Sequence, residues 1–298
     1  MVFFCGDVQI MTEYKLLIAD PSYSSWSLRG WLCFAAFGIP VSVSVTRLYT
    51  DNFLTDVTAF SRHARTVPVA SANDGSQFTD SLTIAEELAH RHPEACLLPS
   101  GPQQRATARA LMAEMHSSFT SLRADCPMNT RTAYAKTPVS EAVEADLRRL
   151  EELWQARKGT WLFGEHYSVA DAFFAPVAAR IAGYNLPVSE QARAYVSAHL
   201  HHYPFRQFRA WGQTFASQSF YFRDYAIAKW PGPAPLEARA IDADAEESVN
   251  KNCPYSGNPV TDFLEMSGRI YGFCNPRCRD KTVLDPSAWP DFMTLAAA

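Results

Sequence analysis

Apolar and polar positions in the first part of the chain follow two repeats, one typical of strands and one typical of helices. Short apolar or alternating runs predict strands at 15–19, 41–45, 66–70 and 77–79, and helical spacing predicts helices at 24–37, 51–62 and 81–90. Asn73-Asp-Gly75, between the last two strands, is a hairpin signal. The resulting order, β-α-β-α-β-β-α, is the plan of a thioredoxin-like domain.

After Pro99-Ser-Gly-Pro102 the pattern changes to long amphipathic stretches. Helices are predicted at 103–125, 138–158, 189–201 and 204–218. Ser168-Val-Ala-Asp171 is a capping box, with Asp in place of the usual Glu, and it opens a further helix. We therefore expect a thioredoxin-like domain at 13–95, an all-helical domain at 103–230, a linker at 231–250 and a small cysteine-bearing module at 251–293.

The composition is that of a folded protein with sizeable cores. Of 298 residues, 47% are hydrophobic and 19% are charged, which excludes a mainly disordered chain. The 27 basic and 31 acidic residues give a net charge of -4, so there is no basic excess to neutralise a nucleic-acid backbone. The apolar runs fall far short of the roughly 20 residues that span a bilayer. We expect neither nucleic acid nor a membrane as a partner.

Seven cysteines occur, at positions 5, 33, 96, 126, 253, 274 and 278. Their number is odd and the first four are scattered, which is typical of a reducing compartment. The N-terminus lacks the basic and long apolar regions of a signal peptide. We therefore expect a cytoplasmic protein, with Met1 and Met11 as alternative starts.

Four short motifs, in order along the chain, resemble those of the glutathione transferases. They are Pro21-Ser-Tyr-Ser-Ser-Trp-Ser-Leu-Arg29, Val67-Pro68, Asp80-Ser81 and the capping box, and the resemblance covers about residues 14–225. The first motif is similar to the serine-type classes, in a zeta/tau/theta-like bacterial subgroup. The resemblance implies the glutathione-transferase fold, with an α/β thioredoxin-like N-terminal domain and an all-α C-terminal domain, and it implies a homodimer.

Glutathione transfer needs the thiolate of the tripeptide, because the thiol is a weak nucleophile. A free thiol has a pKa of about 8.5, and lowering it by about two units takes roughly 2.7 kcal/mol. A helix N-terminus supplies about 0.3–2 kcal/mol, and one hydroxyl donor to a charged sulfur supplies about 1.5–3 kcal/mol. A serine at the start of the first helix is therefore sufficient, without a metal or a base.

The resemblance points to Ser24 as the catalytic serine, from its spacing to Gly38 at the end of the predicted first helix. Ser25 is the alternative if the loop shifts by one residue. Ser22 is a third candidate and is otherwise assigned to glutathione binding. Each of these serines could instead only cap the helix, since serine is favoured at that position in any case.

The same resemblance implies a glutathione-binding set around this serine. A cis Val67–Pro68 bond exposes the main chain of Val67, which in the family pairs with the cysteinyl part of glutathione. Ser81 and the amides of its helix suit the glutamyl carboxylate, with Asp80 facing the glutamyl ammonium. Trp26 completes the set. The alternatives are packing for Trp26 and simple capping for Asp80-Ser81.

The second predicted domain supplies candidates for the pocket of a small hydrophobic electrophile. These are Met112, His116 and Arg123 on its first predicted helix, and the loop Pro127-Met-Asn-Thr-Arg131. Each side chain could otherwise belong to the core or the surface of an amphipathic helix. The expected chemistry is conjugation of the electrophile or its isomerisation.

The last three cysteines, Cys253, Cys274 and Cys278, follow the pattern C-x20-C-x3-C. With the segment Tyr-Gly-Phe-Cys, this pattern resembles the small YHS/TRASH metal-binding modules. Three thiolates brought together by a hairpin suit Zn²⁺, and a module with little core of its own gains stability from a metal. The fourth ligand would be water, Asp262, Asp280 or another group. The alternative is three reduced structural cysteines.

The sequence therefore predicts a glutathione transferase with glutathione as co-substrate. One alternative is a glutathione-dependent reductase of disulfides or peroxides, but no Cys lies near residue 24, and Cys33 lies about two turns into the helix. The other alternative is a non-catalytic glutathione-binding protein whose tail senses metal or redox state.

Overall fold

The computed structural model describes residues 13–298, so Cys5 and the alternative starts Met1 and Met11 lie outside the described residues. The first part of the chain forms a four-stranded sheet with three helices. The strands are β1 (Tyr14–Ala19), β2 (Val41–Thr46), β3 (Val69–Ala72) and β4 (Gln77–Phe78), in the order β2-β1-β3-β4. The helices are α1 (Ser25–Ala35), α2 (Phe53–Phe60) and α3 (Ser81–Arg91).

Strand β1 packs against a different core on each face of this sheet. It runs parallel to β2 and antiparallel to β3. Leu16 and Ile18 belong to the main core with α1, whereas Leu17 and Ala19 pack in a small second core with α2. Burial on both faces explains why the strand is an unbroken apolar run. The Ala19 N–H donates to Ser27 Oγ at 3.0 Å, which fixes the start of α1 at the carboxyl end of β1.

The second part is helical, with a two-stranded sheet of β5 (Ala133–Tyr134) and β6 (Ile227–Ala228). Its helices are α4 (Pro102–Ser117), α5 (Thr120–Asp125), α6 (Glu141–Trp154), α7 (Val169–Gly183), α8 (Glu190–His201) and α9 (Tyr203–Gln213). Helix α7 is buried along nearly its whole length and packs against α1, α4 and α8. None of the helices in residues 13–298 combines the length and the apolar character needed to cross a membrane.

The predicted helix 103–125 is in fact two helices, α4 and α5. The chain is extended at Ser118, and Phe119 has a positive φ of 60°. Phe119 is buried in the main core, and the Leu122 N–H at the start of α5 donates to Asp146 Oδ2 at 2.9 Å. Burial of the Phe119 ring and the hydrogen bond to Asp146 therefore favour two helices over one continuous helix. No Gly or Pro marks this break in the sequence.

The predicted capping box is present at the start of α7. Asp171 Oδ2 accepts from the Ser168 N–H at 2.9 Å and from Ser168 Oγ at 2.6 Å. Asp171 Oδ1 accepts from Tyr195 Oη at 2.7 Å and from the Leu162 N–H at 3.0 Å. Asp171 is completely buried. The box therefore ties α7 to α8 and to the loop before α7, as well as capping a helix.

The C-terminal part is a three-stranded antiparallel sheet of β7 (Arg239–Ile241), β8 (Asp262–Met266) and β9 (Arg269–Phe273), followed by α10 (Pro276–Leu284) and α11 (Pro290–Ala297). The segment 231–250 is therefore not a linker throughout, because β7 lies within it. Arg239 forms an ion pair with Glu265 across the strands, and Ile241 lies opposite Phe263. Long-range pairing with β8, and not the local composition, makes this segment a strand.

The C-terminal part packs directly on α9. Arg206 Nη2 and Asp285 Oδ1 form an ion pair at 2.6 Å, and the two side chains are only 10% and 7% exposed. Gln207 Nε2 donates to the Ala288 carbonyl oxygen at 2.9 Å. The buried side chains of both parts form one continuous core. The module is therefore an integral layer of the molecule.

Candidate functional site

A cleft of about 520 Å³ lies between the start of α1 and the helical part. From the first part of the chain its walls include Tyr23, Ser24, Ser25, Trp26, Tyr49, Phe53, Thr66 and Val67. From the helical part they include Arg123, Pro127, Met128, Arg180, Phe220, Tyr221 and Arg223. The cleft therefore contains the loop and turn whose motifs resemble a glutathione site, and it also contains side chains that no sequence motif had marked.

Ser24 is the N-cap residue of α1. Its Oγ accepts from the Ser27 N–H at 3.2 Å, and the side chain is largely buried at the wall of the cleft. Capping uses one lone pair of the hydroxyl oxygen and leaves its proton available for donation. The two interpretations of this serine, as a cap and as a donor to a ligand, are therefore compatible in one geometry.

Ser25 is the first residue of α1 and also lines the cleft. Arg180 Nη2 lies 3.5 Å from its Oγ, so the hydroxyl oxygen faces a guanidinium donor from α7. As with Ser24, the hydroxyl proton is not needed for this contact. Both leading candidates from the sequence therefore reach the cleft.

Ser22 lies behind the cleft. Its Oγ is buried and has no hydrogen-bond partner in residues 13–298. It packs against Gly212 of α9, where an added Cβ would lie 2.8 Å from Ser22 Oγ. The carbonyl oxygen of Ser22 accepts from the Thr130 N–H at 3.0 Å. Ser22 thus joins the loop before α1 to the helical part and is not among the residues that line the cleft.

The Val67–Pro68 peptide bond is cis, as the resemblance implies. Val67 lines the cleft, and its main chain makes no hydrogen bond within the described residues. Pro68 packs against Gly30 of α1, where an added Cβ would lie 2.6 Å from Pro68 Cγ. A glycine in α1 is therefore what lets the turn approach the helix this closely.

Asp80 and Ser81 begin α3, beside the cleft and not within its walls. Asp80 is the N-cap, and its Oδ1 accepts from the Leu82 N–H at 2.7 Å. Ser81 Oγ is buried and has no partner in the described part of the chain. Asp80 Oδ2 lies 3.8 Å from His116 Nε2, and the His116 ring meets the edge of Trp26 at 5.0 Å between centroids. Trp26 and His116 thus link the start of α3 to the cleft.

Trp26 lies between two guanidinium groups. Arg29 Cζ is 4.5 Å and Arg123 Cζ is 4.6 Å from its ring centroid. Arg123 lines the cleft, and its Nη1 donates to the carbonyl oxygens of His116 and Ser118. The expectation that Arg123 belongs to the pocket therefore agrees with its position in the structure.

The structure does not place Met112 or His116 in the walls of the cleft. Met112 is completely buried in the core between α4 and its neighbours. His116 is half-buried against Asp80 and Trp26. The prediction for Met112 was wrong because the apolar face of α4 is covered by α7. Pro127 and Met128 of the predicted loop do line the cleft, whereas Asn129 and Thr130 are buried.

Arg180 and Arg29 are the two most buried guanidinium groups near the cleft, at 4% and 0% exposure. Burial lowers the pKa of Arg180 to about 10, and the nearby Arg123 acts in the same direction. Burial, with repulsion from Arg123 and Arg180, holds the pKa of Arg29 well below its usual value. Arg180 was missed from the sequence, although it is the one basic residue of the largely apolar α7, which was a usable signal.

Cys33 does not serve as a nucleophile at the cleft. It is completely buried in α1, and burial raises the pKa of its thiol to about 12. Since only the thiolate reacts, this thiol is inert near neutral pH. The geometry therefore gives no support to a reductase that uses a cysteine of α1.

The three C-terminal cysteines come together as the pattern predicts. The Sγ atoms of Cys253, Cys274 and Cys278 all lie within 4.8 Å of one another. Cys274 follows β9, and Cys278 is in the first turn of α10, with its N–H donating to Asn275 Oδ1 at 2.9 Å. Ser256 Oγ and Asn275 Nδ2 each donate to Cys274 Sγ at 3.2 Å. This set of soft ligands fits a Zn²⁺ ion.

Neither carboxylate considered as a fourth ligand belongs to this cluster. Among residues 13–298, no Asp, Glu or His side chain joins the three sulfur atoms. Asp262 and Asp280 lie 3.4 Å and 2.8 Å from Arg279 instead. Both carboxylates pair with Arg279 instead of joining the cluster, so water or another group remains as the fourth ligand.

The sequence is similar to known proteins over part of its length. The glutathione S-transferase C-terminal domain family matches residues 131–202. A probable maleylacetoacetate isomerase from Caenorhabditis elegans is 32% identical over 124 residues, which is 39% of this chain and 56% of that protein. The chain thus aligns with little more than half the length of this curated relative.

Comparisons with solved structures give the fold. A glutathione transferase homologue from Burkholderia, with bound glutathione, has a TM-score of 0.53 at 20% identity, covering 68% of this chain and 100% of that one. The Omega 3C glutathione transferase of Trametes versicolor has a TM-score of 0.53 at 17% identity, covering 72% and 94%. The predicted fold class is confirmed: a thioredoxin-like α/β part followed by a helical part, as in the glutathione transferases.

Proposed function

We propose that this chain is a glutathione transferase in which a serine hydroxyl at the start of α1 stabilises the thiolate of glutathione. One observation carries the proposal. The hydroxyls of Ser24 and Ser25 line a cleft at the N-terminus of an eleven-residue helix, beside the cis Val67–Pro68 turn. The family match over 131–202 and the fold support the same assignment.

Ser24 is the first candidate for the donor to sulfur, and Ser25 is the alternative. The Ser24 oxygen is occupied by the Ser27 N–H, which orients the hydroxyl and leaves its proton for the ligand. The helix N-terminus adds a fixed positive potential worth up to about 2 kcal/mol. Together with about 1.5–3 kcal/mol from the hydroxyl, this is enough to lower the thiol pKa by about two units.

The other parts of glutathione would bind at the Val67–Pro68 turn and at the start of α3. The Val67 main chain offers its donor and acceptor to the cysteinyl backbone, in the manner of an added strand. Ser81 Oγ, buried without a partner in residues 13–298, and the amides of α3 suit the glutamyl carboxylate. Asp80 would pair with the glutamyl ammonium. Trp26 contributes to the wall of the cleft, and Ser22 holds the loop before α1 from behind.

The reaction is a nucleophilic attack by sulfur. The thiol proton leaves to solvent, and the sulfur electron pair forms a carbon–sulfur bond to the electrophile. In conjugation, a leaving group departs with its bonding pair or a double bond accepts the pair and then a proton. In isomerisation, the same bond forms, the substrate rotates about the former double bond, and sulfur leaves again. No other nucleophile is required.

Replacement of the two serines distinguishes catalysis from capping. Ser24→Ala and Ser25→Ala are assayed for conjugation and isomerisation, and the thiol pKa of bound glutathione is titrated. Ser140→Ala is the matched control, because Ser140 caps α6 through the Val143 N–H at 3.3 Å and is not among the described residues that line the cleft. We expect kcat/KM to fall about 10- to 100-fold in the variant that removes the donor.

Loss of a cap alone lowers stability by about 1 kcal/mol, and this applies equally to Ser24→Ala and Ser140→Ala. If neither serine variant loses more activity than Ser140→Ala, the hydroxyl mechanism is wrong. If the intact chain binds glutathione but turns over no electrophile, the non-catalytic alternative replaces the transferase. Glutathione and a small electrophile are the proposed ligands, and a homodimer is the proposed assembly, to be measured by sedimentation equilibrium.

A second function concerns the C-terminal module, where we propose that Cys253, Cys274 and Cys278 bind Zn²⁺. The mutual approach of the three sulfurs within 4.8 Å favours this over three unrelated thiols. The hydrogen bonds to Cys274 and the position of Cys278 in the first turn of α10 both favour thiolates. When bound, the ion would hold the hairpin to α10 and so stabilise the module.

Metal binding is measured on the reduced full-length chain with Zn²⁺ and with Co²⁺. We expect one equivalent to bind, and the Co²⁺ form to show thiolate-to-metal charge transfer from three sulfurs. Cys278→Ser should weaken binding strongly, whereas Cys96→Ser, which removes an exposed cysteine outside the cluster, should not. Equal binding by both variants, or none by the intact chain, would refute the zinc site.

A further inference from the structure

Four arginines lie in the walls of the cleft or beside it without a carboxylate partner. They are Arg29, Arg123, Arg180 and Arg223, and none lies within 4.0 Å of a carboxylate oxygen of residues 13–298. Three of them line the cleft, and no Asp or Glu is among the described lining residues. The walls of the cleft therefore carry positive charge only.

Two of these guanidinium groups are buried, so the absence of a nearby carboxylate raises the free energy of the folded chain. All three nitrogens of Arg29 are buried without a hydrogen bond in the described part of the chain. Arg180 is 4% exposed and reaches only carbonyl oxygens and the Ser25 hydroxyl. Burial of a charge without a counter-charge is strongly unfavourable. An anion in the cleft would offset this cost.

The sites proposed for the cysteinyl and glutamyl parts of glutathione do not use these arginines. The cysteinyl backbone lies at Val67 and the glutamyl end at Asp80 and Ser81, all on the thioredoxin-like side. Arg123 and Arg180 come from α5 and α7, and Arg223 comes from the segment after α9. These three arginines therefore belong to the helical side of the cleft, and Arg180 reaches across it to Ser25.

The mouth of the same cleft is aromatic. Tyr221 stacks on Tyr23 at 4.5 Å between ring centroids, and Phe220 packs on Tyr49 at 5.6 Å. Phe220 and Tyr49 are nevertheless 66% and 75% exposed. Exposed aromatic rings beside a cleft offer stacking surfaces to a planar ligand. One cleft thus combines exposed aromatic rings with cationic side chains.

We infer that the second substrate is an aromatic carboxylate, with its ring between Tyr49, Phe220 and Tyr221 and its carboxylate on Arg180, Arg123 or Arg223. The inference rests on the proposed glutathione transferase function. The sequence predicted a small hydrophobic electrophile, and the inference restricts this class to electrophiles that carry a negative charge. A guanidinium is suited to this role because it presents several fixed donors to a carboxylate.

A matched pair of ligands isolates the extra carboxylate. S-benzylglutathione and S-(4-carboxybenzyl)glutathione share every charge of glutathione and differ by one carboxylate on the ring. Calorimetry on the full chain at neutral pH is expected to give about 10- to 100-fold tighter binding of the carboxylated ligand. Added salt should reduce this preference, since part of it is electrostatic. Equal or weaker binding of the carboxylated ligand would overturn the inference.

Arginine variants then locate the carboxylate. Arg180→Met and Arg223→Gln are each expected to reduce the ratio of the two affinities at least several-fold, and this ratio is compared within each variant, so that any general change in binding of glutathione derivatives cancels. Arg223 is half-buried at the surface, so Arg223→Gln keeps the experiment informative if Arg180→Met does not fold. Arg148→Gln, on the exposed face of α6, is the control and should keep the full preference.

The outcomes separate this inference from the proposed function. Binding of S-benzylglutathione without any carboxylate preference supports the glutathione site and refutes the aromatic carboxylate. Binding of neither ligand refutes both. A preference that persists in both arginine variants refutes the assignment of the carboxylate to this wall of the cleft.

Discussion

Arg180 Nη2 lies 3.5 Å from Ser25 Oγ, although 155 positions separate the two residues along the chain. The contact brings α7 of the helical part to the first residue of α1, at the wall of the cleft. Because the serine oxygen accepts here, its proton can still donate to a ligand. The helical part therefore acts on the electrostatics of a sulfur held at α1.

Replacing Arg180 by Met is expected to raise the pKa of the thiol of bound glutathione, because a nearby positive charge favours the thiolate. Burial lowers the pKa of Arg180 to about 10, so the guanidinium is still charged at neutral pH. We expect the thiol pKa to rise by about one unit, equivalent to roughly 1.4 kcal/mol. The thiolate absorbance of bound glutathione, followed against pH, measures this. Arg180→Lys should restore most of the effect, and an unchanged pKa in Arg180→Met would contradict the argument.

Gly30→Ala is expected to separate α1 from the cis-proline turn. The new Cβ would lie 2.6 Å from Pro68 Cγ, which is too close for two carbon atoms. Overpacking of this kind costs about 1–3 kcal/mol, more than the gain of about 1 kcal/mol in helix propensity. The free energy of unfolding measured in urea should fall, and so should the affinity for glutathione. Gly183→Ala in α7 is the control, because its Cβ would meet its nearest neighbour at an ordinary 3.5 Å.

His202 is expected to make the fold sensitive to mild acid. Its ring stacks on Tyr167 at 4.2 Å, and burial lowers its pKa to about 4, against about 6.5 when unfolded. A lowered pKa means that the unfolded chain binds the proton first. Stability is therefore complete above about pH 6.5 and is lost as the pH falls toward 4.

Urea unfolding of the intact chain and of His202→Phe, measured at pH 7 and pH 5, tests this. Phenylalanine keeps the stacking on Tyr167 but cannot be protonated. The variant should therefore lose less stability between the two pH values, by about 1–2 kcal/mol. The neighbouring His199, whose pKa burial also lowers, would keep part of the sensitivity. Identical losses in the two proteins would show that His202 is not responsible.

Asp285→Ala is expected to loosen the C-terminal module from α9. The substitution leaves Arg206 buried without its partner, and breaking a buried pair in this way costs about 3–5 kcal/mol. Thermal unfolding and limited proteolysis of the intact chain and the variant measure the effect. The matched control is Glu265→Ala, which breaks the exposed pair with Arg239 and should cost about 0–1 kcal/mol.

The sequence was a good guide wherever local pattern decides structure. The unbroken apolar run of β1, the hairpin at Asn73-Asp-Gly75 and the capping box at Ser168 each follow from neighbours a few residues apart. Ser24 and Ser25 reach the cleft because the loop that carries them is continuous with α1. These features depend on local propensities and on hydrogen bonds between near neighbours, which residue types a few positions apart are enough to predict.

Features that depend on distant partners were not predictable in this way. Periodicity showed that α4 has an apolar face, but only α7 packing on it makes Met112 a core residue and not a pocket residue. Tyr221 and Arg180 join the cleft through contacts that span most of the chain. Strand β7 forms because β8 is available to pair with it, and its own composition resembles a linker.

Helix α9 is bonded at Arg206 to the C-terminal module, and its Gly212 lies against Ser22 in the loop that leads into α1. An eleven-residue helix is a rod about 16 Å long, and it resists bending over that length. A shift of the C-terminal module at Asp285 would therefore be transmitted to the loop before α1 as a rigid displacement. Truncation at residue 230 would remove one of the two fixed ends of this rod.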